Sequence, residues 1–197
     1  ANRNAPTQGV LSGSSDEIGR AAVILEARGL KAKQLSVAAA FHSSLVADAA
    51  KPFLAELKKV KFTAGCAPVY ANTTAKEYPA AVAETRKLLA SQLAKPVEFV
   101  AQIDNLYQAG IRTFLEVGPG ARLSGLTRAI LGDKDHQTIA IDSSNGSRSG
   151  ILDLGRALAQ LASLGHAVEL TGWDREFAAA AINSPAESKK PGLNVPL

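Results

Sequence analysis

The segment from Arg112 to Asp142 constrains the fold more than any other part of the chain. Arg112 to Val117 is a short apolar run, and Gly118-Pro119-Gly120 turns it into a stretch of helical spacing that closes at Leu131 and Gly132. A second apolar run, Thr138 to Ile141, follows. A strand, a helix and a second strand in this order predict a parallel pair joined by a crossover helix, with 112–117 read as a buried strand. Helices alternate with short apolar strands elsewhere too, so the expected class is α/β, a layered sandwich around a mainly parallel sheet.

Upstream, Ser14 and Glu17 have the spacing of a capping box, followed by Ile18, Ala21, Ala22 and Leu25 on one helical face and by Gly29 as a stop. Val10 to Ser12 and Lys31 to Val37 read as strands on either side, making residues 1–38 a small strand-helix-strand unit. Leu45, Ala49, Phe53 and Leu57 mark a helix from Ser44 to Lys59, with Pro52 expected to bend it. Val69 and Tyr70 suggest a short strand. Further helices are expected from about Ala80 to Ala94, before Pro96, and from Glu98 to Ala109, before Gly110. The polar break Ser143 to Gly150 precedes a helix with Ile151, Leu154, Leu158 and Leu161 on one face, ended by Gly165. Beyond Trp173 the chain turns Ala-rich and then polar, as an interdomain linker does.

Composition excludes more than it selects. Hydrophobic residues are 46% of the 197 and charged residues 20%, ordinary for a soluble globular chain, and no apolar run nears the roughly 20 residues of a membrane span. The net charge of +4 allows acidic partners without choosing one, and Lys58, Lys59 and Lys61 lack the interleaved aromatics of a nucleic-acid surface. Neither nucleic acid nor membrane is therefore expected as a partner. The single Cys66 cannot form an internal disulfide, which suits a cytoplasmic setting. The polar start Ala1-Asn2-Arg3-Asn4, without Met, reads as a piece of a longer protein.

Three histidines could carry chemistry. His136 lies in the polar stretch after Gly132, and His166 follows a helix end. No zinc-site spacing joins any of them to each other or to Cys66, so no metal is expected. His42 differs: it stands between the apolar run Val37 to Phe41 and the start of a helix, a junction that presents catalytic groups in α/β folds. A core histidine held by a hydrogen bond is the plainer alternative. A serine nucleophile on a G-x-S-x-G elbow would suit such a base, but none occurs; Gly146-Ser147-Arg148-Ser149-Gly150 has Arg at its centre. Gly118-Pro119-Gly120 lacks the Lys and Ser/Thr of a phosphate loop and reads more simply as a tight turn.

Taken together, Ala39-Ala40-Phe41-His42-Ser43-Ser44-Leu45, Pro68-Val69-Tyr70-Ala71-Asn72, Gln92-Leu93 with Pro96-Val97, and Glu116-Val117-Gly118-Pro119-Gly120 ending in Leu126 resemble the malonyl-CoA:acyl-carrier-protein acyltransferases in order and spacing. Asn2 to Gln8 with Leu11-Ser12-Gly13 looks like the Asn-rich turn and strand of that family's ferredoxin-like insert. The resemblance covers roughly residues 1–142 and corresponds to the C-terminal half of the domain. The helix from Ile151 with Trp173 is similar to the segment that follows acyltransferases in polyketide and polyunsaturated-fatty-acid synthases.

The resemblance implies a division into a partial ferredoxin-like subdomain (1–38), the C-terminal part of an α/β-hydrolase-like acyltransferase core (39–142), and a helix with an interdomain linker (143–197). It implies that His42 is the catalytic histidine and that the main-chain carbonyl of Gln92 orients it. Pro96 supplies a reason, because it has no N–H to bond a helical carbonyl four residues earlier. Phe41 would lie in the acyl pocket and favour malonyl over methylmalonyl, with core packing as its alternative. Asn4 would lie near the substrate cleft. The substrates implied are malonyl-CoA and the phosphopantetheine thiol of an acyl carrier protein, with no bound cofactor. The partners implied are that carrier protein, neighbouring synthase domains and the N-terminal half of the domain, which would bring the serine and the arginine for the malonyl carboxylate. Without that half no turnover is expected, and an inert docking fragment or a hydrolase with the same residues remain alternatives.

Overall fold

Glycines in the left-handed region mark most of the places where helical spacing stops. Gly29, Gly110, Gly132 and Gly165 all have positive φ and lie just beyond helices, where a residue with a Cβ would be strained. The computed structural model describes residues 1–35, 37, 39–63, 65–170 and 172. The expected linker and Trp173 lie outside the described residues.

The chain opens with a hairpin, β1 (Asn2–Ala5) against β2 (Gln8–Val10), antiparallel with an irregularity between Arg3 and Ala5. The N-terminal unit is therefore hairpin then helix, not strand-helix-strand. Lys31 to Leu35 forms no strand, and Leu35 and Val37 are 54% and 66% exposed; an apolar run without a strand beside it has no ladder to join. Helix α1 (Ser15–Ala27) begins on the expected capping box: Ser14 accepts from the Glu17 N–H, and Glu17 accepts from the Ser14 N–H.

The expected single helix from Ser44 to Lys59 is two pieces, a 3₁₀ segment (Ser44–Ala49) and helix α2 (Ala50–Lys59). Pro52 does not bend a continuous helix. It falls in the first turn of α2, where its missing N–H would have had no helical partner. A short hairpin, β3 (Tyr70–Ala71) and β4 (Lys76–Glu77), leads to α3 (Val82–Ser91), which packs on α2 and stops three residues short of the expected end. Helix α4 (Phe99–Gln108) packs against β1 and the helix after it.

Strands β5 (Thr113–Pro119) and β6 (Gln137–Asp142) run parallel, joined by α5 (Arg122–Leu131), as the opening segment demanded. Helix α5 packs on both strands, and α6 (Gly150–Ser163) packs on β6. Arg128 of α5 donates to Thr138 at 2.7 Å, so Thr138 faces α5 and its neighbour Ile139 faces the other way with its partner Leu115. On that second face Ile139 is 4% exposed, but Leu115 and Val117 are 43% and 76% exposed. The strand expected to be buried thus leaves Leu115 and Val117 open on one face, because α6 packs mainly on β6.

The loop between β6 and α6 hangs on one carboxylate. Asp153, whose side chain is fully buried, accepts from the Ser144 N–H at 2.9 Å and from Arg148 Nε and Nη2 at 3.1 and 2.8 Å. The Ser144 side chain, with its N–H and the Arg148 guanidinium, outweighs the burial penalty and holds the carboxyl at about 2, against an ordinary 3.8. Because the folded value lies below the unfolded one, the ionised Asp153 stabilises the fold above its ordinary value, and that contribution vanishes as pH falls through about 2. Asp153→Asn is expected to lower the thermal midpoint at neutral pH and to flatten the decline between those two pH values. Melting curves followed by circular dichroism would show it, and superimposable pH profiles would contradict it.

Candidate active site

The end of α3 leaves carbonyls without helical partners, and His42 occupies them. Gln92 would bond an N–H at position 96, but Pro96 has none. Leu93 would bond the N–H of Val97, which is turned instead to the Ala1 carbonyl at 2.8 Å. The exit direction is fixed by β1: Arg3 N–H bonds the Val97 carbonyl at 2.9 Å, and Asn2 bridges Val97 in parallel. The His42 N–H then bonds the Leu93 carbonyl at 2.8 Å. The ring Nδ1 lies 3.0 Å from the Gln92 carbonyl oxygen and 2.9 Å from that of Lys95. The Gln92 carbonyl also accepts a long 3.4 Å bond from the Lys95 N–H, so it is shared and not wholly released as Pro96 alone would have it.

Chemistry fixes the tautomer. A carbonyl oxygen can only accept, so Nδ1 between two carbonyls must carry the proton, leaving Nε2 as the lone-pair nitrogen of the neutral ring. A histidine held this way can take a proton at Nε2 and return it. The backbone at His42 has φ of 59°, left-handed for a residue with a side chain, a conformation that costs of order 1–3 kcal/mol. One main-chain bond and two ring contacts to main-chain carbonyls over-determine it. Next to it Ser43 caps the 3₁₀ segment by accepting from the Leu45 N–H at 3.3 Å and donates to Ala40 at 2.7 Å.

The other sequence-expected site residues fall around the same segment. Phe41 adjoins His42 and is 50% exposed among the described residues. Asn4 sits in β1 at the irregularity, on the strand that bonds Val97, and is part-buried there. Gln92 contributes a backbone atom. Lys95 escaped sequence reasoning, because a carbonyl acceptor leaves no mark in residue type; Pro96 after it was the one available sign.

Elsewhere the polar candidates resolve differently. Glu116 accepts from the Leu123 N–H at 3.0 Å and from the N–H and hydroxyl of Ser124, both at 2.8 Å, capping α5 from within the chain. Partial burial opposes its charge, but the Ser124 and Leu123 bonds outweigh it and hold the carboxyl below its usual range. The turn with Gly120 at φ of 81° therefore faces a helix end already filled by a carboxylate, an arrangement unsuited to phosphate. His136 Nδ1 lies 2.6 Å from the Lys134 carbonyl, and His166 Nε2 lies 3.0 Å from the Thr113 hydroxyl. Among the described residues no three His, Cys, Asp or Glu side chains are grouped so as to hold a metal ion, and no helix is long and apolar enough to cross a membrane.

A polyunsaturated fatty acid synthase polypeptide of Thraustochytrium sp. is 32% identical over 192 residues, which is 96% of this chain and 7% of that protein. The malonyl CoA-acyl carrier protein transacylase of Bacillus subtilis is 34% identical over 142 residues, 72% of this chain and 44% of the transacylase. This chain is homologous to part of a malonyl-CoA:acyl-carrier-protein acyltransferase domain. The solved transacylase of Clostridium perfringens superposes with a TM-score of 0.70 at 28% identity, over 93% of this chain and 51% of its own. No family model matches the chain. The chain thus spans about half the length of the transacylases it matches, which fits the C-terminal half of an acyltransferase.

Since His42 combines a ring bonded to two carbonyls with a left-handed backbone, its substitutions should separate the two. His42→Gly and His42→Ala both lose the ring, but only Gly relieves the backbone, so His42→Gly is expected to be the more stable by about 1–2 kcal/mol. Denaturant unfolding of both variants measures this, and equal midpoints would mean that position 42 relaxes out of the left-handed region.

Proposed function

We propose that this chain supplies the general base of a malonyl-CoA:acyl-carrier-protein acyltransferase, His42, to a serine nucleophile carried by the part of the domain it does not match. The observation that supports this most is the Nδ1 of His42 between the Gln92 and Lys95 carbonyls. In this reading the serine hydroxyl gives its proton to Nε2 and attacks the malonyl thioester, and the imidazolium returns the proton to the departing CoA thiolate. The phosphopantetheine thiol of the carrier protein then gives its proton to Nε2, attacks the acyl-serine, and the serine regains its proton. Gln92 acts through its backbone oxygen. Phe41 narrows the acyl pocket toward malonyl, and Asn4 borders the cleft from β1. An arginine of the unmatched part clamps the malonyl carboxylate. No cofactor is needed beyond the substrates.

The proposed organisation keeps 1–38 as the partial ferredoxin-like subdomain, 39–142 as core, and 143–197 as the following helix and linker to neighbouring synthase domains, in a cytoplasmic enzyme. The exposed Leu115 and Val117 support the unmatched half of the domain as a partner, because strands of a parallel sheet are ordinarily covered on both faces. This chain by itself, with no serine elbow, does not turn over substrate.

In a complete domain containing this chain, His42→Ala is expected to lower malonyl transfer to holo-carrier protein by at least about 10². Transfer rates would be read by mass spectrometry of the carrier, where malonyl-thioester marks a transferase and free malonate a hydrolase. Near wild-type transfer in that variant would remove His42 from the chemistry and leave docking as the role of this chain.

The partner reading has its own test. Val117→Asp should scarcely move the denaturation midpoint of this chain alone, where position 117 is exposed. In the complete domain the carboxylate would be buried, and the same change should cost at least about 2 kcal/mol. Equal small effects in both would show that the other half does not cover β5.

A further inference from the structure

We infer that Pro96 is a positioning residue, acting through the Lys95 carbonyl as a second acceptor that locks the His42 ring in its Nδ1–H tautomer. The inference rests on the general-base reading only for its functional consequence; the lock itself is a property of this chain.

The end of α3 meets three requirements at once. A helix leaves its last carbonyls unbonded. Pro96 cannot return an N–H to Gln92, and it disfavours helical backbone at Lys95, so the turn that follows α3 does not resume a helix there and the Lys95 carbonyl is left without a helical partner. The Val97 N–H, the next candidate donor, is taken by Ala1. Gln92, Leu93 and Lys95 thus present three carbonyls to one residue, and His42 answers with its N–H to Leu93 and its Nδ1 to Gln92 and Lys95, at 2.8, 3.0 and 2.9 Å.

A single carbonyl would orient the ring but leave it able to swing about that one bond. Two acceptors on one N–H, a three-centre arrangement, fix the ring plane as well. The Leu93 bond meanwhile holds the backbone at φ of 59°, from which the ring is presented. Restoring an N–H at position 96 gives Gln92 a competing donor and lets Lys95 become helical, so one substitution loosens both ring contacts. Gln92→Ala and Lys95→Ala leave the backbone oxygens in place and should not.

The test uses the 197-residue chain labelled with 15N-histidine, at a pH where imidazole is neutral, with ring signals assigned by His136→Gln and His166→Gln. In the unsubstituted chain His42 is expected to favour the Nδ1–H form by about tenfold, the ratio that one hydrogen bond of ordinary net strength sustains. In Pro96→Ala the ratio should fall several-fold and the His42 amide should exchange faster, while Gln92→Ala and Lys95→Ala keep both. Circular dichroism and unchanged His136 and His166 signals confirm that each variant is folded. If Pro96→Ala does not fold, the unsubstituted chain still decides: a dominant Nε2–H form overturns the lock. So does an unchanged ratio in folded Pro96→Ala.

The lock and the general-base reading fail separately. A dominant Nδ1–H form together with active His42→Ala in the complete domain would keep the lock and refute the catalytic role. An Nε2–H form with inactive His42→Ala would do the reverse. If both hold, Pro96→Ala in the complete domain should lower kcat with little change in KM for malonyl-CoA.

Discussion

The arrangement depends on how one helix ends. Helix α3 stops at Ser91, and the carbonyls of its cap and of the turn after it must find donors or lose the equivalent of a hydrogen bond each. Pro96 removes the helical solution and the N-terminal hairpin removes another, since Val97 is bonded to Ala1 and Arg3. What remains is a residue some fifty positions upstream. The left-handed backbone of His42 is tolerable because it lets one residue satisfy three carbonyls, and the cost of that conformation is comparable to the bonds it secures.

Two carboxylates give the neighbouring turns similar discipline. Glu116 closes the N-terminal end of α5 and Asp153 pins the loop before α6, each by accepting backbone N–H bonds that favour its charged form. Gly120 lies between them: its N–H bonds the Asp142 carbonyl at 2.9 Å, joining the end of β5 to the end of β6. The carboxyl ends of both strands are therefore held by hydrogen bonds internal to the chain. That makes them a fixed wall beside the His42 segment.

Local signals in the sequence carried most of the elements. The Ser14/Glu17 box and the glycines after helices each state a backbone requirement that one residue type meets best, and each appears as read, while the run from Arg112 to Asp142 gives the parallel pair and its crossover helix but not the buried first strand. Pro96 likewise announced an unbonded carbonyl at Gln92. The failures share a cause as well. Among the described residues Lys31 to Leu35 forms no strand, and β5 leaves the core-like Leu115 and Val117 exposed on one face. Pairing and burial depend on what else is present, which periodicity does not report. The Lys95 carbonyl is a backbone group, and side-chain identity could not reveal it.

The uncovered face of β5 bears on the same point. A two-stranded parallel sheet is a poor structure alone, and Leu115 and Val117 would gain by being covered, each by about 1.5–3 kcal/mol if fully buried. In a monomer complete in itself, such residues on a strand of a crossover unit would be hard to explain. In a chain that spans about half of the transacylases it matches, they lie where more sheet is needed. On the proposed function, the half-covered strand and a base without a nucleophile would share one physical reason, since the residues that cover the first and are activated by the second would come from the same unmatched half.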